Sequence, residues 1–426
     1  MARPLLVDVT RLLTRLQQPA PTGIDRVELA YAQHVLDGSP DRHAVALTPF
    51  GGRLLPPAER ERLFGTLGSR WGDDRDGGNG PEAPATARLR AWLSQSSPEK
   101  PPGPVPGSSA LPTAVLGKLG SLRAVRWPDA GRAAPGQAIY LHTSHLRLDR
   151  PDRLAWLDAR PDISPLFFVH DIIPIEFPEY GVPGEAERHR VRMQTIARRA
   201  AAVIANSRDV ADRFAGHLRR EGLPIPPVTV APLGIEPAFT RPAVPWKAAR
   251  PYFVVCSTIE GRKNHLMLLQ VWRDLARELG PETPALVIVG RRGWESEAAT
   301  DLLDRCTAIA PHVVEANGVP TRDLAGLVAG ARALLMASFA EGYGIPVVEA
   351  LAVGTPVIAS DIGAHREVAG GRATLLDPLD GPGWRDAIRR AASGAAPAPQ
   401  PVPVPDWASH FRIVDHVLAS LRGSSP

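Results

Sequence analysis

The chain has few cysteines and no long apolar run, and both shortages exclude classes of protein. It has two cysteines in 426 residues, too few for a disulfide framework or a zinc finger, which favours a reducing compartment. No window approaches the roughly 18 apolar residues of a membrane span, and the first segment, MARPLLVDVTRLLTRL, lacks the uncharged core and small-residue cleavage site of a secretory signal. We therefore expect a globular cytoplasmic protein.

Lysine is also scarce, at only four of the 49 basic residues. The arginine excess is typical of a GC-rich bacterial genome, so the net charge of +4 does not by itself indicate a nucleic-acid partner, and we expect none. Arginines are dense from Arg188 to Arg220, with apolar residues at helical spacing. This segment fits either a face attracted to anionic lipid at the inner side of a membrane or a solvated helix face.

Short apolar runs alternate with segments of helical length in both halves of the chain. Such alternation is typical of βαβ units and of parallel sheets with both faces covered. The fold class that we predict is α/β, with two doubly wound, Rossmann-like domains. The runs lie at 5–10, 44–50, 138–144, 165–171 and 202–207, and then at 251–259, 285–290, 313–318, 333–338, 356–361 and 373–377.

Composition divides this pattern into parts. The stretch 236–251 is rich in proline and resembles an interdomain linker, whereas 72–86 and 94–113 are too rich in Pro, Gly and Ser to pack. We predict a first domain over 1–240 with flexible insertions at about 65–137, and a second domain over 241–404. The last segment, 405–426, is predicted to form a helix that crosses back to the first domain.

A carboxylate in an apolar helix needs an explanation. Glu349 is the only polar residue between Ile345 and Val353. Burial of an unpaired carboxylate is unfavourable by several kcal/mol, so Glu349 is expected to meet a cation, a hydrogen-bond donor or a ligand such as a sugar diol. The alternative is a glutamate at the solvent edge of its helix.

Glu341, eight positions earlier, precedes a glycine-rich turn with Gly342 and Gly344. These glycines permit close backbone approach, and the helix start that follows suits an anion. Val347 stands where a dinucleotide fingerprint needs its third glycine, so NAD is disfavoured.

Other polar residues follow predicted strands, where doubly wound sheets bind ligands. They include Arg262 and Lys263, which could be an ordinary surface pair or a phosphate site. They also include His170 and Asp171. Taken alone, His170 would be read as a loop histidine whose hydrogen bonds are satisfied within the protein. The isolated pair His142 and His145 lacks further ligands nearby, which favours a structural role over a metal site.

Four segments together resemble family 4 retaining glycosyltransferases of the GT-B fold, particularly the mannosyltransferase-like enzymes of bacterial polysaccharide synthesis. EGYGIPVVEALAVGTPVIASDIGAHREV is similar to the family's E-x7-E region, and STIEGRKNHLMLLQVW to its phosphate-binding segment. FFVHDIIPIEFPEY resembles its His-Asp loop, and GVPTRDLAGLVAGA its base-side loop. The similarity extends from about 165 to 420.

The resemblance implies a role for each matching residue. Glu349 would hold the ribose of a nucleotide sugar, Glu341 the transferred sugar and its phosphate, and Arg262 with Lys263 the diphosphate. His170 would lie beside the donor sugar and Asp171 on the acceptor side. The turn before the first long helix departs from the family's pattern, because it has one glycine, Gly23, and then Asp25-Arg26. The implied donor-binding positions are Gly23, Gly318, Val319, Gly342, Tyr343, Gly344, Ile345 and Glu349.

The implied activity is transfer of a hexosyl unit with retention, with acceptor bound by the first domain and donor by the second. GDP-mannose is the first donor expected, the acceptor a glycan or a lipid-linked glycan, and peripheral membrane contact a further expectation. No metal or other cofactor is expected, because Arg262 and Lys263 supply positive charge and no DxD-type motif stands at a strand end. A sugar-nucleotide epimerase or hydrolase, or a non-catalytic nucleotide-sugar-binding scaffold, stays open as an alternative.

Overall fold

A computed structural model describes residues 3–18, 21–36, 38–71, 82–96, 126–394 and 401–423. Its strands form two separate sheets, one in each half of the chain. The strands are β1 Leu5–Asp8, β2 Arg42–Thr48, β3 Gly51–Leu54, β4 Ile139–His142, β5 Ser164–Val169, β6 Ala202–Ala205, β7 Val228–Val230, β8 Tyr252–Cys256, β9 Ala285–Val289, β10 Val313–Ala316, β11 Ala333–Met336, β12 Val357–Ser360 and β13 Thr374–Leu376.

Helices connect most of these strands. In the first half they are α1 Thr10–Arg15, α2 Gly23–Val35, α3 Pro57–Trp71, α4 Pro84–Leu93, α5 Ala130–Ala133, α6 Ala155–Asp158, α7 Ile173–Glu176, α8 Glu185–Arg199, α9 Arg208–Arg220 and α10 Pro237–Thr240. In the second half they are α11 His265–Leu279, α12 Glu297–Arg305, α13 Thr321–Ala329, α14 Ile345–Ala352, α15 Gly363–Ala369, α16 Gly381–Ala392 and α17 Trp407–Gly423. Short 3₁₀ turns occur at Pro151–Leu154, Pro178–Tyr180, Gly261–Lys263 and Gly280–Glu282.

The strand order in both sheets is doubly wound. The first sheet runs β3-β2-β1-β4-β5-β6-β7 and the second β10-β9-β8-β11-β12-β13. All neighbouring strands are parallel except β2 and β3, which are antiparallel. The order reverses between β1 and β4 and between β8 and β11, and crevices for ligands open at such switch points. The predicted fold class is confirmed.

Buried apolar strand residues explain why both sheets form. Strands such as β1 with LLVD and β11 with ALLM are buried along their whole length, as expected when helices cover both faces. Trp272 of α11 and Trp384 of α16 are fully buried against one face of the second sheet. The cores on the two sheets hold the strand ends, and the loops after them, in fixed positions.

The last helix lies against the first domain. In α17, His410 contacts the carbonyl oxygen of Pro232 at 2.9 Å through Nδ1 and the hydroxyl of Tyr31 at 2.8 Å through Nε2. Near its end, the carbonyl of Leu421 accepts a hydrogen bond from Arg3 at 2.5 Å. The chain therefore begins and ends its described part on the same domain.

The expectation of flexible insertions at 65–137 is wrong for the described part of that range. Helix α3 continues to Trp71, and α4 buries Leu89, Trp92 and Leu93. Thr86 in α4 donates a hydrogen bond to Asp323 of the second domain at 2.7 Å. A high local content of Pro and Gly concealed a short amphipathic helix, while 72–81 and 97–125 lie outside the described residues.

Candidate active site between the two domains

The loops that follow the strands of the two sheets meet at one place. His170 and Asp171 follow β5, Arg262 and Lys263 form the turn after β8, and the Gly342 turn follows β11. A Cβ added at Gly342 would overlap the carbonyl oxygen of His170. Only glycine permits this approach, and it brings the predicted residues of the two domains into contact.

Glu341 is held by two cations from the turn after β8. Its Oε2 lies 3.0 Å from Nη1 of Arg262, its Oε1 lies 2.5 Å from Nζ of Lys263, and the hydroxyl of Ser338 donates to Oε1 at 2.7 Å. Glu341 is only 7% exposed. The three predicted residues therefore form one cluster, in which the acid is buried and the two cations are partly buried.

The electrostatics of this cluster favour full ionisation of its acid. Burial alone would raise the pKa of Glu341, but Lys263 and Arg262 outweigh burial and hold that pKa well below its usual range. Burial and repulsion from Arg262 lower the pKa of Lys263, against the attraction of Glu341. A second acid, Glu260, accepts from Nη2 of Arg262 at 2.7 Å. The two cations are thus held in place by carboxylates.

His170 is a buried, neutral histidine. Burial outweighs the neighbouring Thr143 carbonyl and Asp171 and lowers the pKa of His170 to about 4. Its Nε2 lies 2.7 Å from the Thr143 carbonyl oxygen and therefore donates, which leaves Nδ1 as the acceptor. Asn206 donates to the His170 carbonyl at 3.0 Å. Asp171 is half-buried and accepts from the backbone N–H of Ile173 at 3.1 Å.

Glu349 is buried, and its partner comes from the other domain. It is 4% exposed, so the alternative of a glutamate at the solvent edge is wrong. Its Oε1 lies 3.3 Å from Nη1 of Arg26 on α2. Burial raises the pKa of Glu349 to about 7, Arg26 opposes this rise, and Glu236 adds to it. Within the described ranges, the expected polar partner of Glu349 is therefore one cation, Arg26.

The remaining predicted donor positions surround these acids. Gly344 has a φ of +97° immediately before α14, a conformation that favours glycine. The hydroxyl of Tyr343 donates to the Leu233 carbonyl at 3.3 Å, so this side chain is directed towards the first domain rather than into the site. A Cβ on Gly23 would lie 3.6 Å from Ile345 Cδ1.

Gly318, with a φ of +71°, and the partly buried Val319 lie in the loop that leads to Thr321 of α13. The hydroxyl of Thr321 lies 3.2 Å from Nη2 of Arg26. The predicted positions thus fall into two groups, one around Glu341 and one around Glu349.

Sequence reasoning missed several residues of the site. Ser338 and Glu260 complete the cluster around Glu341, and Arg26 and Thr321 complete the surroundings of Glu349. His365 is fully buried beside Gly344, with Nδ1 on the Ser360 carbonyl at 3.0 Å and no hydrogen-bond partner for Nε2 among the described residues. Their common signal is position after a strand or at a helix start, which is too frequent to single them out.

The described ranges hold neither a group of metal ligands nor a helix able to cross a bilayer. They contain no group of three or more His, Cys, Asp or Glu residues that could hold a metal ion. His142 contacts the Tyr140 hydroxyl at 2.9 Å and His145 accepts from the His170 backbone at 3.2 Å, in line with a structural role for both. No helix in these ranges combines the length and apolarity that crossing a bilayer requires.

Comparisons with known proteins agree with this architecture. A family model described as "Glycosyl transferases group 1" matches residues 250–393. The serotype-specific mannosyltransferase WbdA of Escherichia coli is 28% identical over 256 residues, which are 57% of this chain and 29% of WbdA. The O-antigen chain mannosyltransferase B of Escherichia coli is 33% identical over 150 residues, 35% of this chain and 38% of that protein. The chain spans well under half the length of both relatives.

Among solved structures, HepE from Anabaena in complex with UDP has a TM-score of 0.55 and 16% identity, covering 98% of this chain and 100% of HepE. This likeness extends over both domains and concerns the fold. Together with the family match, it confirms the resemblance that the sequence motifs indicate. The chain therefore has the GT-B fold, and residues 250–393 of its carboxy-terminal domain match the model of the group 1 glycosyltransferases.

Proposed function

We propose that the protein is a retaining glycosyltransferase that moves a hexosyl unit from a nucleotide-diphosphate sugar to a glycan or lipid-linked acceptor in bacterial surface polysaccharide synthesis. The names of two relatives, a serotype-specific and an O-antigen chain mannosyltransferase, support mannose and GDP-mannose as the first choice. HepE was solved with UDP, so UDP-sugars belong in the same test. We place the reaction in the cytoplasm, at or near the inner face of the membrane.

The observation that carries this proposal is the largely buried Arg262–Lys263–Glu341 cluster opposite the His170 loop of the other domain. A departing nucleoside diphosphate gains negative charge as its bond to the sugar breaks, and fixed cations stabilise that charge most in the transition state. Both cations are already oriented by acids, Arg262 by Glu341 and Glu260 and Lys263 by Glu341. Preorganised cations of this kind suit a diphosphate leaving group.

The roles of the other residues follow from their places around that cluster. Glu341 and the backbone amides of the Gly342 turn would bind the hydroxyls of the transferred sugar. The neutral His170, whose Nε2 already donates to the Thr143 carbonyl, would accept a hydrogen bond from a sugar hydroxyl through Nδ1 without adding charge. Asp171, less buried than His170, would face the acceptor. The acceptor attacks from the face that the diphosphate leaves, and the departing phosphate takes the acceptor's proton. We propose no protein nucleophile and no metal requirement.

The choice between transfer and donor hydrolysis can be tested directly. Purified protein is incubated with GDP-mannose, GDP-glucose, UDP-glucose or UDP-galactose, with and without a bacterial membrane extract, and nucleotide release is measured. We expect release from one donor to depend on the extract and label from that donor's sugar to enter a glycan. Release that is equally fast without the extract would indicate hydrolysis and contradict the proposal.

The ribose role of Glu349 has its own test. A carboxylate that accepts from the 2′-hydroxyl of the ribose should discriminate between a nucleotide and its 2′-deoxy analogue by about fivefold to tenfold, the value of one hydrogen bond to a charged group. We expect Glu349→Gln to reduce this discrimination, measured as the ratio of Kd values for GDP and 2′-dGDP and for UDP and 2′-dUDP. An unchanged ratio would remove Glu349 from the ribose site.

A further inference from the structure

Arg26 extends from the first domain into the second, and the start of helix α2 explains its direction. Thr22 caps this helix in a reciprocal capping box with Asp25. Asp25 also accepts from Arg11 at 2.6 Å, so its charge is occupied within the first domain. Arg26, the next residue, is left to point away from these partners and towards α13 and α14 of the second domain.

The guanidinium of Arg26 makes two hydrogen bonds there, one to each of two elements. Its Nη1 donates to Oε1 of Glu349 on α14 at 3.3 Å, and its Nη2 donates to Oγ1 of Thr321 at the start of α13 at 3.2 Å. Two donors on one rigid group therefore meet two acceptors on neighbouring helices. A ribose presents the same pattern, because its 2′- and 3′-hydroxyls are neighbouring donors on a rigid ring.

Burial explains why Glu349 needs a partner whether or not a ligand is bound. Glu349 is 4% exposed, and another acid, Glu236, raises its pKa further. Arg26 is therefore the counter-charge of a carboxylate that water hardly reaches, and loss of a partner from such a pair is unfavourable. A sugar diol that donates two hydrogen bonds would replace most of what Arg26 provides.

We propose that Arg26 occupies the ribose position in the unliganded protein, and that Glu349 and Thr321 exchange it for the ribose diol of the donor nucleotide. This inference rests on the proposed function and deepens it in two ways. It assigns Thr321 to the ribose site, and it makes donor entry release a contact between α2 of the first domain and the second domain.

The exchange predicts that Arg26 weakens nucleotide binding. A ligand must displace the guanidinium, so its apparent affinity is reduced by the fraction of molecules in which Arg26 is bound. We expect Arg26→Met, which keeps an unbranched side chain but no donor, to bind GDP or UDP at least about fivefold more tightly than the unaltered protein. Arg26→Lys keeps the charge but presents one donor group, so its Kd for GDP or UDP should lie between those of Arg26→Met and the unaltered protein.

The measurement is calorimetric titration of the full chain with GDP and with UDP at pH 8.0. Removal of Arg26 also removes a charge that favours the ionised form of Glu349. The pH is therefore set above the pKa of Glu349, to favour the ionised form in the variant as well. Glu367→Gln is the matched control, since Glu367 also joins the domains, accepting from the backbone N–H groups of Arg208 at 2.7 Å and Asp209 at 2.9 Å. We expect Glu367→Gln to leave the Kd unchanged.

Several results would overturn the exchange. Weaker or unchanged binding by Arg26→Met would show that Arg26 is no competitor of the nucleotide. An equal gain in Glu367→Gln would attribute the effect to loosening of the domains in general. If Arg26→Met binds GDP or UDP and the unaltered protein binds neither, the exchange is supported. If neither protein binds GDP or UDP, the proposed function itself is contradicted.

Thr321 is tested in the background that lacks Arg26. Thr321→Val keeps the shape of the side chain and removes the hydroxyl, so in Arg26→Met it should weaken GDP or UDP binding by about fivefold, the value of one hydrogen bond. The loss should be smaller for the 2′-deoxy or 3′-deoxy analogue whose missing hydroxyl is the partner of Thr321. Equal affinity of the single and double variants for GDP and UDP would exclude Thr321 from the ribose site.

Discussion

Glu341 and Glu349 lie eight positions apart. Glu341 precedes the Gly342 turn, Glu349 lies within helix α14 that follows this turn, and both are buried. Their pKa values are nevertheless shifted in opposite directions from the ordinary value of a glutamate. The pKa of Glu341 is held well below its usual range by Lys263 and Arg262, whereas burial raises the pKa of Glu349 to about 7. Burial is common to both, so the difference comes from the charges that surround each carboxylate.

The number of counter-charges decides which way the pKa moves. Glu341 has two cations within 3.0 Å and a hydroxyl from its own domain. Glu349 has one cation, at 3.3 Å, and it comes from the other domain. Glu341 thus has its counter-charges within its own domain, whereas Glu349 is paired with a residue of the other domain, which we propose leaves when the nucleotide binds. A preformed diphosphate site beside an exchangeable ribose site would follow from this contrast.

Removal of both cations should abolish the contrast and have the largest effect. In Arg262→Ala with Lys263→Ala, Glu341 loses its counter-charges and its pKa should rise, as for Glu349. We expect turnover with the accepted donor to fall by about 100-fold or more, in line with about 2.7 kcal/mol for a lost transition-state donor. Donor turnover measured by nucleotide release checks this.

Arg277→Ala is the control for that double variant, because the Arg277 side chain is 65% exposed and pairs only loosely with Asp274, at 3.7 Å. It should keep the original turnover. Near-normal turnover in the double variant would contradict the assignment of Arg262 and Lys263 to the diphosphate, even if the variant were less stable.

The pH dependence of stability should separate the two acids next. The pKa of Glu349 is about 7 in the folded protein against an ordinary value of 4.5. The folded state therefore binds more protons between these values, so Glu349 lowers the free energy of unfolding as the pH rises from about 4.5 to 7. Glu349→Gln lacks this term. We expect its stability relative to the unaltered protein to improve by up to about 3 kcal/mol from pH 4.5 to pH 8.

Urea unfolding of the two proteins at pH 4.5, 6, 7 and 8 measures that difference, and the contributions of groups that do not interact with Glu349 cancel in the comparison. Glu187→Gln serves as the control, since the Glu187 side chain is 70% exposed. If the stability curves of Glu349→Gln and the unaltered protein ran parallel, Glu349 would titrate as an ordinary surface acid.

The surroundings of Glu341 could be predicted from the sequence more fully than those of Glu349. Arg262, Lys263 and Glu341 all follow strands of one doubly wound sheet, and parallel strands that end at the same edge bring such residues together. The need for a partner at Glu349 was also predictable, from its apolar neighbours. Its identity was not, because Arg26 is 323 positions away and the relative placement of two domains leaves no periodic pattern.

Helix α4 is a second element that the sequence did not predict. Composition averaged over the proline-rich region predicted flexibility, yet Trp92 is 3% exposed and Arg250 of the second domain lies 4.8 Å from the centre of its ring. Only a few apolar residues, correctly spaced, were needed to pack this helix. Averages over a long window cannot detect them when the flanking residues are Pro, Gly and Ser.

The smallest expected effect concerns Glu236, which precedes α10 and is 8% exposed. Its charge adds to the rise in the pKa of Glu349, after burial and against Arg26. Glu236→Gln should therefore lower that pKa, by less than about one unit. The difference in urea stability between Glu236→Gln and the double variant with Glu349→Gln, followed against pH, gives the midpoint. A midpoint that stays near 7 would mean that burial, without a contribution from Glu236, accounts for the higher pKa of Glu349 compared with Glu341.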